Sequence, residues 1–314
     1  MPVAPCSACR LVVNNWHETR KMSGRNFSRA TGVGMTNPRP FLRPDSLLYI
    51  YYIDCGLPAD LVVDHDHFLG NWIEGDFSFL FFAQPADDTV ADLLVRFPAC
   101  TLLDKYTMTY EQWQGGQVEP LRIGRFLINP TWIKASPQKD DIALTLDSGL
   151  VFGNGTHPTT QACLEAMEVA CSGKKVTTVL DLGGGTGILA LAAAKLGCRK
   201  VLGVDFNYLA ATTAHTNVRL NDLAQQILIV HGKAEEHLSK PADLLIANIH
   251  FEVMKELVAC PDFTRHKWFV LSGLLTSEAE KIVATLRELP VLILKKWCPD
   301  NIWHTILGIT VPEA

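Results

Sequence analysis

From residue 142 onward, short apolar runs alternate with stretches whose apolar positions recur every three or four residues. The runs at 142–146, 176–182, 200–206, 226–230, 242–248, 268–272, 291–296 and 305–311 read as strands. Between them, 158–170, the segment after Gly187, 209–220, 251–258 and 277–289 read as amphipathic or buried helices. Such alternation predicts a parallel sheet with helices on both faces and right-handed crossovers. The last two runs have no room for a helix between them, which predicts an antiparallel pair at one edge. The pattern upstream is different. Strand-like stretches at 46–54, 77–82 and 100–103 surround one helical stretch at 86–97, giving a small α+β module. Residues 109–140 carry Trp113, Gly115, Gly116, Pro120, Gly124, Pro130 and Trp132 and read as a linker, with one strand at 122–129. The predicted organisation is an extension over 1–44, an α+β domain over 45–108, the linker over 109–140 and an α/β domain over 141–314.

Composition supports two folded domains. The 314 residues are 48% apolar and 19% charged, enough to bury a core. The net charge of −5 argues against a general nucleic-acid binder. Residues 1–44 hold seven Lys/Arg against Glu18 alone and are expected to be disordered. No run of about 18 apolar residues occurs, so no membrane association and a cytoplasmic location are expected. The nine cysteines are odd in number and irregular in spacing, which reads as reduced thiols. Cys6 and Cys9 form a C-x-x-C, but no second pair follows and only His17 lies near, so no metal site is assigned.

The stretch Val179-Leu180-Asp181-Leu182-Gly183-Gly184-Gly185-Thr186-Gly187 reads as a buried strand turning into a helix, with backbone N–H groups facing the turn. A dinucleotide fingerprint, G-x-G-x-x-G/A, requires a small residue where Ile188 stands, which disfavours a dehydrogenase. The spacing of Gly183, Gly185 and Gly187 is similar to the first motif of methyltransferases that use S-adenosylmethionine (SAM). In open α/β sheets the ligand sits outside the carboxyl ends of the strands. Asp205, at the end of the second strand, is placed to accept from ribose hydroxyls, or to be a turn carboxylate. Ala234 and Glu235 follow the third strand, where an adenine edge would lie. Asn248 ends the fourth and either orients a ligand or caps the next helix. Asp181 can bond the glycine turn or face the positive sulfonium side of the cofactor.

The family follows from the stretch Phe152-Gly153-Asn154-Gly155-Thr156-His157-Pro158-Thr159-Thr160, which resembles the F-G-T-G-x-H-x-T-T of the PrmA family. Val204-Asp205, Ala247-Asn248-Ile249 and Leu271-Ser272-Gly273-Leu274-Leu275 resemble further stretches of that family, as do Glu119 to Arg125 and Pro130-Thr131-Trp132 in the linker. The resemblance implies a Rossmann-like class I methyltransferase sheet of seven strands, the last two antiparallel, with a small N-terminal α+β domain that recognises the substrate. It implies SAM as cofactor, contacted by Thr160, Gly183, Asp205 and Asn248 along with Gly185, Gly187 and Asp181. It implies methylation of amines, on lysine side chains and an N-terminus, of a large-subunit ribosomal protein, with no nucleic acid bound directly. Asn248 is expected to orient the amine or cofactor, with Phe152, His157 and His250 near the substrate. Ile249-His250-Phe251 replaces the family's I-L-A, and the N-terminal domain diverges. Both departures bear on substrate rather than chemistry. A methyltransferase of another protein lysine or of a small molecule, and a non-catalytic SAM-binding module, remain alternatives at this point.

Overall fold

The computed structural model describes residues 41–173 and 176–311. Its contacts divide the chain into two compact units at Glu119/Pro120, with Asn207–Leu209 grouped with the first. Residues 1–40, including Cys6, Cys9 and most of the basic extension, lie outside the described residues.

The first unit contains β1 (Leu47–Ile53), β2 (Phe68–Glu74), β3 (Phe77–Phe82), α1 (Asp87–Arg96), β4 (Leu102–Thr109) and a single turn, α2 (Tyr110–Trp113). The sheet order is β2-β3-β1-β4, and each pair is antiparallel. Successive residues of a strand face opposite sides. Tyr51, Ile53, Leu80 and Phe82 therefore share one face, where Val90 and Leu93 of α1 cover them. Strand β2 was not predicted. Its register shifts between Phe68 and Gly70, so it lacks a clean apolar/polar alternation. Cys55 and Cys100 form a disulfide across 45 residues, which corrects the reading of every thiol as reduced.

In the second unit, part of the expected linker is folded. β5 (Leu121–Ile123) and β6 (Phe126–Pro130) form a hairpin, and β7 (Ile142–Leu146) adds parallel to β6. There follow α3 (Pro158–Cys171), β8 (Thr178–Leu182), α4 (Ile188–Lys195), β9 (Lys200–Asp205), α5 (Tyr208–Leu220), β10 (Ile227–His231), β11 (Leu244–Asn248), α6 (Phe251–Ala259), β12 (Trp268–Leu275), α7 (Thr276–Arg287), β13 (Val291–Trp297) and β14 (Trp303–Thr310). The last seven strands form one sheet in the order β10-β9-β8-β11-β12-β14-β13. β14 runs antiparallel to its neighbours β12 and β13, so the final two strands pair at one edge as expected.

Two apolar layers cover this sheet. One gathers α3 and α4, including Leu164, Met167 and the buried Ala190 to Ala194. The other gathers α6 and α7, including Met254, Leu257, Ile282 and Leu286. α4 is apolar all round, as a helix enclosed on all sides must be.

Two polar devices tie the unit together. At the start of β11, Asp243 Oδ2 accepts from the amides and hydroxyls of Thr177 and Thr178 at 2.6–3.1 Å, and Oδ1 from Lys267 Nζ at 2.6 Å. Burial would raise this carboxyl, but those donors outweigh it and hold it well below the usual range. On α5, Asn217 Nδ2 donates to the carbonyls of Asp147 (2.8 Å) and Thr186 (2.9 Å), and its Oδ1 accepts from the Asp147 amide. One turn later Asn221 exchanges both amide bonds with Thr145. These two asparagines fasten the segment that leads into residues 152–160.

Asn217 is fully buried, so Asn217→Ala leaves three backbone groups unpaired and should cost about 3 kcal/mol of unfolding free energy, read by urea titration. In the first unit, reduction of Cys55–Cys100 should lower stability by up to about 4 kcal/mol on chain-entropy grounds. Unfolding followed by circular dichroism with and without dithiothreitol checks this. Identical curves would show that the pair does not brace the unit.

Candidate functional site

The glycine turn between β8 and α4 sits at the carboxyl end of the sheet, and its geometry is set by neighbours rather than left open. Gly183 has φ +76°, and a Cβ there would lie 2.2 Å from Ile249 Cγ2. Gly185 has φ +56°, and a Cβ would lie 2.7 Å from the Phe152 carbonyl. Each position therefore needs both the left-handed backbone and the missing side chain. All five amides of the turn are bonded within the protein. Gly183 and Gly184 donate to the Val204 carbonyl at 2.8 and 3.0 Å, and Gly185 donates to Asp205 Oδ2 at 2.8 Å. Thr186 donates to the Phe152 carbonyl at 3.2 Å and Gly187 to the Gly184 carbonyl at 2.8 Å. The N–H groups expected to face the turn belong to the start of α4; the amides of the turn itself are used to shape it.

Asp181 is the contrary case. It lies within β8 at 0% exposure, and neither carboxylate oxygen makes a well-formed hydrogen bond; the one donor that bears on it is the Ala190 amide of α4. Burial raises its carboxyl to about 7; the Asp205 charge adds to the rise and the Ala190 amide opposes it. It does not bond the glycine turn. An isolated buried carboxylate is costly, and here it lies one residue before the strand gives way to the turn.

The third part of the site is a polar chain. His157 caps α3 with its side chain, and Pro158 takes the first turn. His157 Nδ1 accepts from the Thr159 amide at 3.3 Å and lies 2.7 Å from Thr159 Oγ1. Asn248 Nδ2, at the end of β11, donates to the same Oγ1 at 3.3 Å. Burial lowers the His157 pKa, partly countered by Asp300, so the neutral ring with Nδ1 as acceptor is the form present near pH 7. The ring contacts Phe152 at 5.3 Å and Trp303 at 5.2 Å, both edge-on. Phe152 is 56% exposed and forms an open apolar wall beside this chain.

The structure thus brings together Gly183, Gly185, Gly187, Asp181, Asp205, Phe152, His157 and Asn248. Thr160 lies one position away from the hydroxyl that makes the contacts and is 1% exposed in the first turn of α3. His250 is two residues past Asn248, at the exposed cap of α6. Ala234 and Glu235 fall in a short 3-10 turn after β10. Thr159 and Trp303 were missed. Thr159 was visible in the motif but indistinguishable from Thr160, and Trp303 comes from the last strand, which sequence order places far from the rest. Among the described residues no cluster of His, Cys, Asp and Glu could hold a metal ion, and no helix is long and apolar enough to cross a membrane.

Residues 107–310 match the model of the ribosomal protein L11 methyltransferase (PrmA) family, about two thirds of the chain. A ribosomal protein L11 methyltransferase of Desulfitobacterium hafniense is 39% identical over 219 residues, 67% of this chain and 69% of that one. One of Alkaliphilus oremlandii is 37% identical over 54% of each chain. The chain therefore spans from about half to about two thirds of these curated relatives. A crystal structure of a ribosomal protein L11 methylase from Lactobacillus delbrueckii subsp. bulgaricus is 29% identical, with a TM-score of 0.54, over 62% of this chain and all of that one. The chain belongs to the ribosomal protein L11 methyltransferase (PrmA) family of protein methyltransferases.

Proposed function

We propose that this chain methylates amine nitrogens of a large-subunit ribosomal protein, with SAM as cofactor, in the cytoplasm. The observation that carries the reading is the chain Asn248–Thr159–His157, set between the glycine turn and the exposed aromatic wall. The orphaned Asp181 carboxylate supports the cofactor assignment, because a buried unpaired anion suits a ligand with a cationic end. Gly183, Gly185 and Gly187 shape the floor, and Asp205 holds it closed through the Gly185 amide. SAM supplies a methyl group already activated on a sulfonium. What remains for the protein is to present an uncharged amine in line with it.

Asn248 does the presenting. Donation from Nδ2 to Thr159 fixes the amide, so Oδ1 is the face left to accept from an amine N–H. Lysine has an unperturbed pKa of about 10.4, so the ammonium must be disfavoured before transfer. Phe152 and Trp303 offer apolar surface that does this by desolvation, and His157, held neutral, adds no like charge. Positioning supplies much of the remaining rate. Thr160 packs beneath the cofactor side and His250 flanks the approach to Asn248. The first unit recognises the protein substrate.

Asn248→Ala should lower kcat/KM for methyl transfer from labelled SAM to purified ribosomal protein L11 by roughly 100-fold. Wild-type turnover in that variant would remove Asn248 from the site. Asp181 gives a pH dependence with a definite sign. Its carboxyl is raised to about 7, so it is largely neutral at pH 6 and largely ionised at pH 8. If the ionised form pairs with the cofactor, SAM binding should tighten by up to about tenfold between pH 6 and pH 8. Asp181→Asn should flatten that profile in a calorimetric titration. A profile equally steep in the variant would place the titrating group elsewhere.

A further inference from the structure

Among the described residues, α2 covers one half of the first unit's second sheet face, over Leu48, Ile50 and Phe81, and no helix is seen over its other, aromatic half. In the first unit α1 covers the face carrying Tyr51, Ile53, Leu80 and Phe82. The alternating positions point the other way. Trp72, Phe79 and Tyr52 stand in one cross-strand row, since Trp72 pairs with Phe79 and Phe79 with Tyr52. Tyr52 stacks on Phe79 at 4.7 Å and 6°, and meets Phe77 at 5.4 Å. Further along this face Phe81 is covered by Trp113 of α2, at 5.0 Å. The edges of the row stay accessible: Tyr52, Trp72 and Phe77 are half-buried, while Phe79 at its centre is buried beneath them.

The rim of this row is acidic. Asp104 continues the row opposite Tyr52, and Asp54 and Asp76 close its ends; all three are exposed. Their charge bears on the rings. After burial, the charges of Asp54 and Glu74 push the Tyr52 phenol upward, and Asp104 does the same to Tyr106. The nearest base in sequence, Lys105, alternates to the other face and pairs with Asp87 of α1 at 2.5 Å. The asymmetry extends through the unit. Residues 41–119 hold thirteen acids against three bases, a net of −10, whereas residues 120–314 balance nineteen against nineteen.

We propose that this aromatic row, rimmed by Asp54, Asp76 and Asp104, is the docking surface for a Lys/Arg-rich face of the protein substrate. The inference rests on the reading that the substrate is a ribosomal protein. Such a protein lies against RNA and carries a basic surface for that reason. Aromatic faces attract ammonium and guanidinium groups, and surrounding carboxylates add attraction over several ångströms. A Lys/Arg-rich protein face uses both features at once. The chain's own basic residues 1–40 are the rival occupant, and the experiment separates the two.

Binding of fluorescein-labelled ribosomal protein L11 is measured by anisotropy on the full chain. Three forms are compared: wild type, a rim variant (Asp54→Asn, Asp76→Asn, Asp104→Asn) and a control (Asp60→Asn, Asp88→Asn, Asp92→Asn) that removes as much charge elsewhere on the unit. The rim variant should weaken binding by about tenfold at low salt, with the gap closing near 0.5 M salt, while the control changes it by less than about twofold. Unchanged binding by the rim variant, or equal weakening by the control, overturns the proposal. Tighter binding by the rim variant also overturns it and assigns the face to residues 1–40, which the lost charge would have released. A SAM titration of all three forms checks folding independently. Wild type that binds L11 but transfers no methyl group from labelled SAM defeats the functional reading and leaves the docking surface standing.

Discussion

The constraint on which the site depends is that the glycine turn spends every one of its five amides on the protein itself. Two go to the end of β9, one to the Asp205 carboxylate, one to the Phe152 carbonyl and one back into the turn. The turn therefore locks three separate chain segments into one corner. It also means that these five amides are not left to hold a ligand, in contrast to turns that cradle phosphate. That fits a cofactor whose reacting end is a cation, for which N–H donors would be the wrong partner.

Two buried carboxylates in the same sheet divide stability from function. Asp243, at the amino end of β11, is surrounded by donors and held ionised. Asp181, at the carboxyl end of β8, has only the Ala190 amide bearing on it and is pushed to about 7. The residue type is the same, but Asp181 is wholly enclosed while Asp243 reaches the surface beside Lys267, and they occupy opposite ends of their strands. Ligands in such sheets lie beyond the carboxyl ends, so an unmet charge is tolerable only at Asp181. Asn217 and Asn221 serve this end by fixing the segment that delivers Phe152 and His157.

Much of this was legible in the sequence because strong local periodicity and the chain's order agree. Alternating strands and helices gave the parallel sheet, and the missing interval between residues 296 and 305 gave the antiparallel edge. The segment from Phe152 to Thr160 carried the family on its own. What was not legible depends on contacts distant in sequence. Strand β2 is interrupted by a bulge at Gly70 that erases its alternation. The choice of Thr159 over Thr160 is made by the helix cap at His157, which turns one hydroxyl toward Asn248 and the other inward. Trp303 reaches His157 only because β14 inserts between β12 and β13. The Cys55–Cys100 bridge follows from β1 and β4 pairing, which no spacing of cysteines announces.

The uneven charge of the two parts has a chemical reason if the substrate nitrogen must lose its proton. A free carboxylate beside the amine would stabilise the ammonium and raise its pKa, opposing the step it was meant to assist. Charge-based recognition of a basic protein is therefore best kept apart from the reacting nitrogen. Apart from the enclosed Asp181, which is assigned to the cofactor, the carboxylates near the site obey this rule. Asp205 is tied to the Gly185 amide, and Asp300 accepts from the amides of Ile302 and Trp303 at 3.1 and 2.9 Å. The excess acids lie in residues 41–119, and residues 120–314 balance to neutrality. Binding energy gathered through groups other than the reacting amine can then offset the cost of stripping water from it.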